Sequence, residues 1–209
     1  MNVKIVGSGS CIPKNVIAND HFSNHVFLNE DGSEIKSPES IIRKFKEITG
    51  IDERRYADEN HVTSDLALIA AQKALENSKT DPETLDYIIV AHNYGDVKKG
   101  NIQSDTVPSI ATRVKSRLQI KNPSCVGYDL LFGCPGWLEG MIQANAFIKA
   151  GIAKKCMVIG AETLSRVTDQ SDRDSMIYAD GAGATIVEAT EENSGILAHE
   201  TATYAYEEA

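Results

Sequence analysis

The stretch "YDLLFGCPGWLEG", residues 128–140, decides how the chain is built. Tyr128 to Phe132 form an apolar run interrupted once, by Asp129. Gly133-Cys134-Pro135-Gly136 then breaks the run, and an amphipathic pattern follows, with Trp137, Leu138, Met141, Ile142, Asn145 and Ile148 on one stripe and Gly151 as its stop. A β-branched or apolar run, a glycine-proline break and a 3.6-residue period read as strand, tight turn and helix, with the helix starting at Cys134. Of the four cysteines, Cys11, Cys125 and Cys156 sit in unremarkable apolar company, and Cys134 alone occupies such a junction.

The same alternation extends along the chain. "NVKIVG" (2–7), "LDYIIVA" (85–91), "CVGYDLL" (125–131), "KCMVIGA" (155–161) and "GATIVEA" (183–189) read as strands. Between them, residues 64–78 place Ala67, Ala70, Ala71, Ala74 and Leu75 on one side of a helix that Asp81-Pro82 ends. A second helix begins near Pro108 and carries Ile110, Ala111, Val114 and Leu118. Strands separated by amphipathic helices predict a layered α/β fold. Residues 24–40, polar around Asp31-Gly32, read as a loop or small hairpin insertion, and the last residues, "SGILAHETATYAYEEA", as the start of a strand that the chain leaves unfinished.

With 209 residues the chain can bury a sizeable core, and 42% hydrophobic and 24% charged residues are ordinary for a globular protein. The apolar runs fall short of the roughly 20 residues of a membrane span, and the start "MNVKIVGSGSCIPKN" lacks the pattern of a signal peptide, so a cytoplasmic protein is expected. Cysteines without CxxC spacing argue for reduced thiols and no metal site. A net charge of −9 argues against a nucleic-acid binder, which would need a basic face, so any anionic partner must meet a local patch. "RKFK" (43–46), "KK" (98–99), "KSR" (115–117) and "KK" (154–155) are candidates, each equally readable as a solvated face.

A cysteine at a helix N-terminus has a chemical use. Unpaired N–H groups and the helix dipole favour the thiolate, and flanking glycines let a substrate approach the main chain. The competing reading is a small buried hydrophobe at a strand end.

Four segments resemble one family in order: "TGIDERRY" with "TSDLALIAAQKALENSKTDPETLDYIIVA", "VPSIATRVKSRLQI", "YDLLFGCPGWLEGM", and "GAETLSRVTDQSDRDSMIYADGAGATIVE". They resemble the amino-terminal half of β-ketoacyl-[acyl-carrier-protein] synthase III, of the thiolase-like superfamily. The resemblance implies a five-layer thiolase-like α/β/α fold, with residues 1–190 as the first half and 191–209 as the start of a truncated second. It implies an acyltransferase of fatty-acid initiation in which Cys134 accepts an acyl group from acyl-coenzyme A and condenses it with malonyl-acyl carrier protein. Coenzyme A enters as the thioester substrate, no cofactor is required, and a homodimer is expected with strand 156–160 or its neighbours near the interface.

Further residues are carried over one at a time. Arg173 matches an arginine placed by the coenzyme A nucleotide, with a surface ion pair as the alternative. Val107 stands where the family caps the partner's acyl pocket. His92, at the end of "YIIVAH", sits where ligands gather in open α/β sheets and is a candidate for the substrate site; a hydrogen-bonded structural histidine is the other reading. Lys44 and Ile48 stand where many members hold adenine with a tryptophan and an arginine. Pro135, Trp137, Leu131 and Phe132 depart from the usual flanks of the cysteine and predict an altered acyl tunnel, with Trp137 packing in the core. The family's carboxy-terminal histidine and asparagine have no match here. Two other readings stay open: a condensing enzyme of secondary metabolism, of resorcinol or quinolone type, and a non-catalytic half-module that dimerises.

Overall fold

The computed structural model describes residues 1–35 and 37–206. Five strands form one mixed sheet in the order β1-β7-β6-β4-β5, from β1 (Asn2–Cys11), β4 (Tyr87–His92), β5 (Val126–Leu131), β6 (Lys155–Thr163) and β7 (Asp180–Thr190). β4 runs parallel to β5 and to β6, whereas β7 is antiparallel to both β6 and β1. All five strands read from the sequence are present. β4 lies inside the sheet, between β6 and β5, so Ile88, Ile89, Val90, Ala91 and His92 are all buried, as expected of a strand covered on both faces.

Crossover geometry places the helices. From β4 the chain passes through α3 (Ile110–Arg117) to β5, one position outward; from β5 it returns through α4 (Gly136–Lys149) to β6, on the far side of β4. Parallel crossovers are right-handed, so two crossovers running in opposite directions put their helices on opposite faces. The core divides accordingly. α2 (Thr63–Ser78) and α3 pack Leu66, Ala70, Ala74, Ile110 and Val114 against Ile88, Val90, Met157 and Ile159, and α4 packs Met141, Ala144 and Ile148 against Ile89, Cys156 and Val158.

The alanine face of α2 is explained by β1. Ala67, Ala70, Ala71 and Ala74 are wholly buried beneath a strand that presents Gly7 and Gly9. A Cβ on Gly9 would lie 2.3 Å from the Ala70 carbonyl oxygen, and one on Gly7 would lie 2.5 Å from Ser78 Cβ. Glycine on one side and alanine on the other bring backbone to backbone. The helix stops at Lys79, whose φ of 54° is left-handed, ahead of the Asp81-Pro82 signal. α3 likewise begins at Ile110, not at Pro108, because Ser109 is its cap and accepts from the Thr112 N–H.

A small second sheet pairs β2 (Asn15–Ala18) with β3 (Glu53–Tyr56), and beside it lies α1 (Pro38–Thr49). The insertion expected over 24–40 is thus a turn closed by the Leu28–Glu34 bridge and then the first turn of α1. Pro38 opens the helix, Gly50 closes it with φ of 70°, and Ile41, Ile42 and Phe45 pack against buried Phe22, Phe27 and Met176. The strand expected after residue 193 does not form among the described residues. Its one ladder-like contact is the Ile196 N–H donated to Val3 O at 2.9 Å, and Leu197, Tyr204 and Tyr206 are exposed, so neither a ladder nor a buried face holds a strand there.

β6 is hydrogen-bonded on both sides, by β4 and β7, and the edge strands of the sheet are β1 and β5. Strand 156–160 therefore has no free backbone edge, and the free edges of the sheet are Asn2–Cys11 and Val126–Leu131. Among the described residues no helix is long and apolar enough to cross a membrane.

Replacing Gly9 with valine should cost about 1–3 kcal/mol or more, as overpacking against backbone does. Urea unfolding should show it as a lower midpoint with an unchanged slope; an unaltered midpoint would mean that β1 and α2 are not in contact.

Candidate active site

Cys134 sits on the turn that joins β5 to α4. The Gly136 N–H donates to Gly133 O at 2.8 Å and closes the turn, and the Glu139 N–H donates to Pro135 O at 3.0 Å as the first helical bond. The helix therefore begins at Gly136, two residues later than Cys134, and the cysteine stands on the loop facing its first turn. Pro135 has no N–H to leave unpaired, which suits it to a helix entrance. The turn lies at the carboxyl ends of the parallel strands, the usual binding edge of such sheets.

Two glycines let α4 approach the sheet. A Cβ on Gly136 would meet Ala91 Cβ at 2.9 Å, and one on Gly140 would meet Val158 Cγ1 at 2.7 Å. The buried stripe is consequently Gly136, Gly140, Met141, Ala144, Asn145 and Ile148. Trp137 and Leu138, expected on that stripe, flank it at 38% and 50% exposure. Trp137 is thus not core packing. Its indole N–H donates to Thr185 Oγ1 at 3.2 Å on β7, and its ring walls the space beside Cys134.

That space is a cavity of about 370 Å³, whose polar side chains besides Cys134 are His92, Asn93, Glu162 and Asp180. His92 lines it but has no free ring nitrogen. Nδ1 accepts the Gly95 N–H at 3.0 Å, so the proton resides on Nε2, which donates to Asp129 Oδ2 at 2.9 Å. Its side chain is fully buried. His92 is a brace, and the expectation of a substrate contact through its ring is corrected. Asp129 is the other half of the brace, also accepting the Ile110 and Ala111 N–H groups at 2.6 and 2.8 Å. A carboxylate on β5 thus caps α3 and orients the histidine of β4.

Asp180 is equally committed, to the Ala57 N–H, the Ser165 N–H and Ser165 Oγ. Glu162, on β6, differs. Its Oε2 accepts the Asn93 N–H at 2.7 Å and Asn93 Nδ2 at 3.1 Å, whereas its Oε1 is buried without a partner. Sequence reasoning passed over Glu162, Asn93, Asp129 and Asp180. The available signal was an acid at the end of, or within, an otherwise apolar strand, since buried acids are rare unless engaged.

Arg173 lies elsewhere, at the head of a short 3-10 turn, Arg173–Ile177. It walls a cavity of about 610 Å³ together with Lys44, Phe45 and Ile48 of α1, so the structure does join Arg173 to the two positions singled out with it. On its other side, a cavity of about 790 Å³ is rimmed by Glu30, Asp31, Asp169, Asp172 and Asp174. Arg54 ties this region together: it is buried, donates to Met176 O, Ile17 O and Asn19 Oδ1, and lies over the rings of Phe22 and Phe45. Val107 is 84% exposed just before α3 and lines neither cavity.

Residues 128–205 match the family model of 3-oxoacyl-[acyl-carrier-protein (ACP)] synthase III. Over 201 residues the chain is 35% identical to a β-ketoacyl-[acyl-carrier-protein] synthase III of Staphylococcus epidermidis, covering 96% of this chain and 57% of that protein. A Neisseria gonorrhoeae protein of the same name is 37% identical over 189 residues, 90% of this chain and 52% of its own. The crystal structure of 3-oxoacyl-[acyl-carrier-protein] synthase III from Aquifex aeolicus superposes with a TM-score of 0.72 at 34% identity, over 91% of this chain and 55% of that one. The chain therefore spans little more than half the length of the relatives it matches, and its mixed sheet and helices follow the thiolase-like α/β fold.

The four thiols should separate in a labelling experiment. Cys11 and Cys125 are buried and held above the usual thiol range by that burial, and burial pushes Cys156 up to about 12. A raised pKa keeps these three protonated and unreactive through neutral pH, and Cys156 until pH nears its own value. Cys134 is the exposed one. Iodoacetamide at pH 7.5 should add one label to the native protein, none to Cys134→Ala, and four to the unfolded wild type. A native protein that takes two or more labels equally fast would contradict this assignment.

Proposed function

We propose that this chain, similar over nearly its whole length to the amino-terminal half of β-ketoacyl-[acyl-carrier-protein] synthase III, carries the acyl-accepting part of an enzyme that starts fatty acid synthesis. The observation that carries the reading is the exposed Cys134 on the β5–α4 turn, beside a cavity at the carboxyl ends of β4 and β6.

The chemistry follows from that placement. Sγ of Cys134 attacks the carbonyl carbon of acyl-coenzyme A, and main-chain N–H groups at the start of α4 receive the negative charge that develops on the oxygen. The carbon–sulfur bond to coenzyme A breaks, its thiol leaves with the proton of Cys134, and the acyl group remains on the enzyme. In the second stage a malonyl group on acyl carrier protein loses carbon dioxide, and the resulting carbanion attacks the acyl-cysteine, freeing the Cys134 thiolate. The histidine and asparagine that assist this decarboxylation in the family have no match among residues 1–209.

Arg173 and Lys44, on one cavity, hold the phosphates of coenzyme A. Lys154 and Lys155 lie at the start of β6, away from the Cys134 end, so of the basic candidates Lys44, on the cavity with Arg173, is the one that meets the acidic carrier. A second copy docks along the open edge of β5, which leaves the exposed Val107 to reach the partner's acyl pocket. The protein acts in the cytoplasm, where its acyl donors and reduced thiols belong.

Intact-mass analysis after incubation with short-chain acyl-coenzyme A should show one acyl group added to wild type and none to Cys134→Ala. An adduct that survives in the variant, or wild type that accepts no acyl group from any donor, would overturn the proposal.

A further inference from the structure

Two cavities meet at Trp137. One, of about 370 Å³, holds Cys134; the other, of about 570 Å³, runs over Ser8 and Ser10 of β1 and Gly183 and Thr185 of β7. Trp137, Gly160 and Gly183 line both, so they mark the boundary. Strand register puts the second cavity on the same face of the sheet as α4. Gly160 stands opposite Gly183 and Val158 opposite Thr185, while Ser10 and Ser8 stand opposite the same two residues of β7. Val158 packs against α4, and residues opposite one another across a ladder share a face.

At the boundary the floor is two neighbouring glycines, and the indole stands above them. A Cβ on Gly160 would lie 3.3 Å from Trp137 Cβ, which places the tryptophan over that glycine. Its N–H, donated to Thr185 Oγ1 at 3.2 Å, draws the ring across to β7, two residues along the same face from Gly183. A Cβ on Gly183, by contrast, would meet no atom within 4 Å. The floor thus leaves a passage between the cavities, and the side chain of Trp137 obstructs it. The main-chain groups beneath are paired in the β1–β7 and β6–β7 ladders, so a hydrocarbon chain lying over them would strand none of them.

We infer that Trp137 is a specificity-determining residue, which sets the length of acyl chain that Cys134 accepts. The inference rests on the acyl-Cys134 reading and adds the class of thioester it favours: one whose chain ends within the first cavity. The second cavity is space that the indole withholds. The transfer itself is unaltered: the acyl carbonyl carbon leaves the coenzyme A sulfur for Cys134 Sγ, and the thiol proton departs on coenzyme A. A packed ring rejects added carbon by overlap, so it discriminates by length.

Acetyl-, butanoyl-, octanoyl- and dodecanoyl-coenzyme A are offered to the whole protein, and kcat/KM for acylation is followed by intact mass. In wild type kcat/KM should fall at least about tenfold at one step of this series. In Trp137→Ala, or in Trp137→Leu should the first variant not fold, the ratio of kcat/KM for that excluded thioester to kcat/KM for acetyl-coenzyme A should rise at least about tenfold. Reading the ratio within one variant cancels any general loss of activity, and a merely structural role would not move it. Adding Gly183→Val to the same variant refills the passage from the floor and should bring the ratio back to within about threefold of wild type. A wild type with no length limit, a ratio unchanged by truncating Trp137, or a ratio that stays raised in the double variant overturns this inference and leaves the acyl-enzyme reading standing. A wild type that none of the four thioesters acylates contradicts the acyl-enzyme reading itself.

Discussion

The close seating of α4 on the sheet, at Gly136 and Gly140, is the constraint on which the site depends. At those two positions the helix touches Ala91 and Val158 with no side chain of its own between. Interiors are packed too tightly to absorb an added carbon without movement. The seat fixes the start of the helix, the start fixes the turn, and the turn holds Cys134 over the ends of β4 and β6. It also rotates Trp137 out of the core and across to Thr185, so that one wall of the cavity is a consequence of two absent side chains.

Buried acids do the rest of the positioning. Asp129 joins β5 to α3 and to His92, Asp180 joins β7 to Ala57 and Ser165, and Asp96 accepts from Ser64 at the head of α2 while pairing with Arg113 of α3. Each carboxylate satisfies main-chain donors that a helix start or loop would otherwise strand. These contacts are charge-assisted and largely shielded from water, which gives them more weight than the surface pairs, such as Lys46 with Asp52, that salt screens. They share one pattern: a carboxylate on one element ends the open hydrogen bonds of another.

The sheet was legible because each of its strands is an apolar run long enough to show through its own composition, and β4 most of all. α2 was legible from its alanines, although the reason for them, the glycines of β1 some sixty residues away, was visible only once the two were packed. α1 escaped notice because Ile41, Ile42 and Phe45 are embedded in charge, and because what they pack against, Phe22 and Met176, is scattered along the chain. Cys134 was legible from the local grammar of its turn. His92 was legible at the strand end, but which of its two readings holds was not, since the Gly95 and Asp129 contacts that occupy its nitrogens come from tertiary structure.

The rate of Cys134 acylation in Gly140→Val tests the central claim most directly, since valine would lift α4 from Val158 without altering any residue of the turn. With foldedness verified by far-UV circular dichroism and the unfolding midpoint, the rate should fall at least about tenfold, as small displacements of a reacting group do. A folded variant that acylates at the wild-type rate would show that the turn holds Cys134 by itself and that the glycine seat does not position the nucleophile.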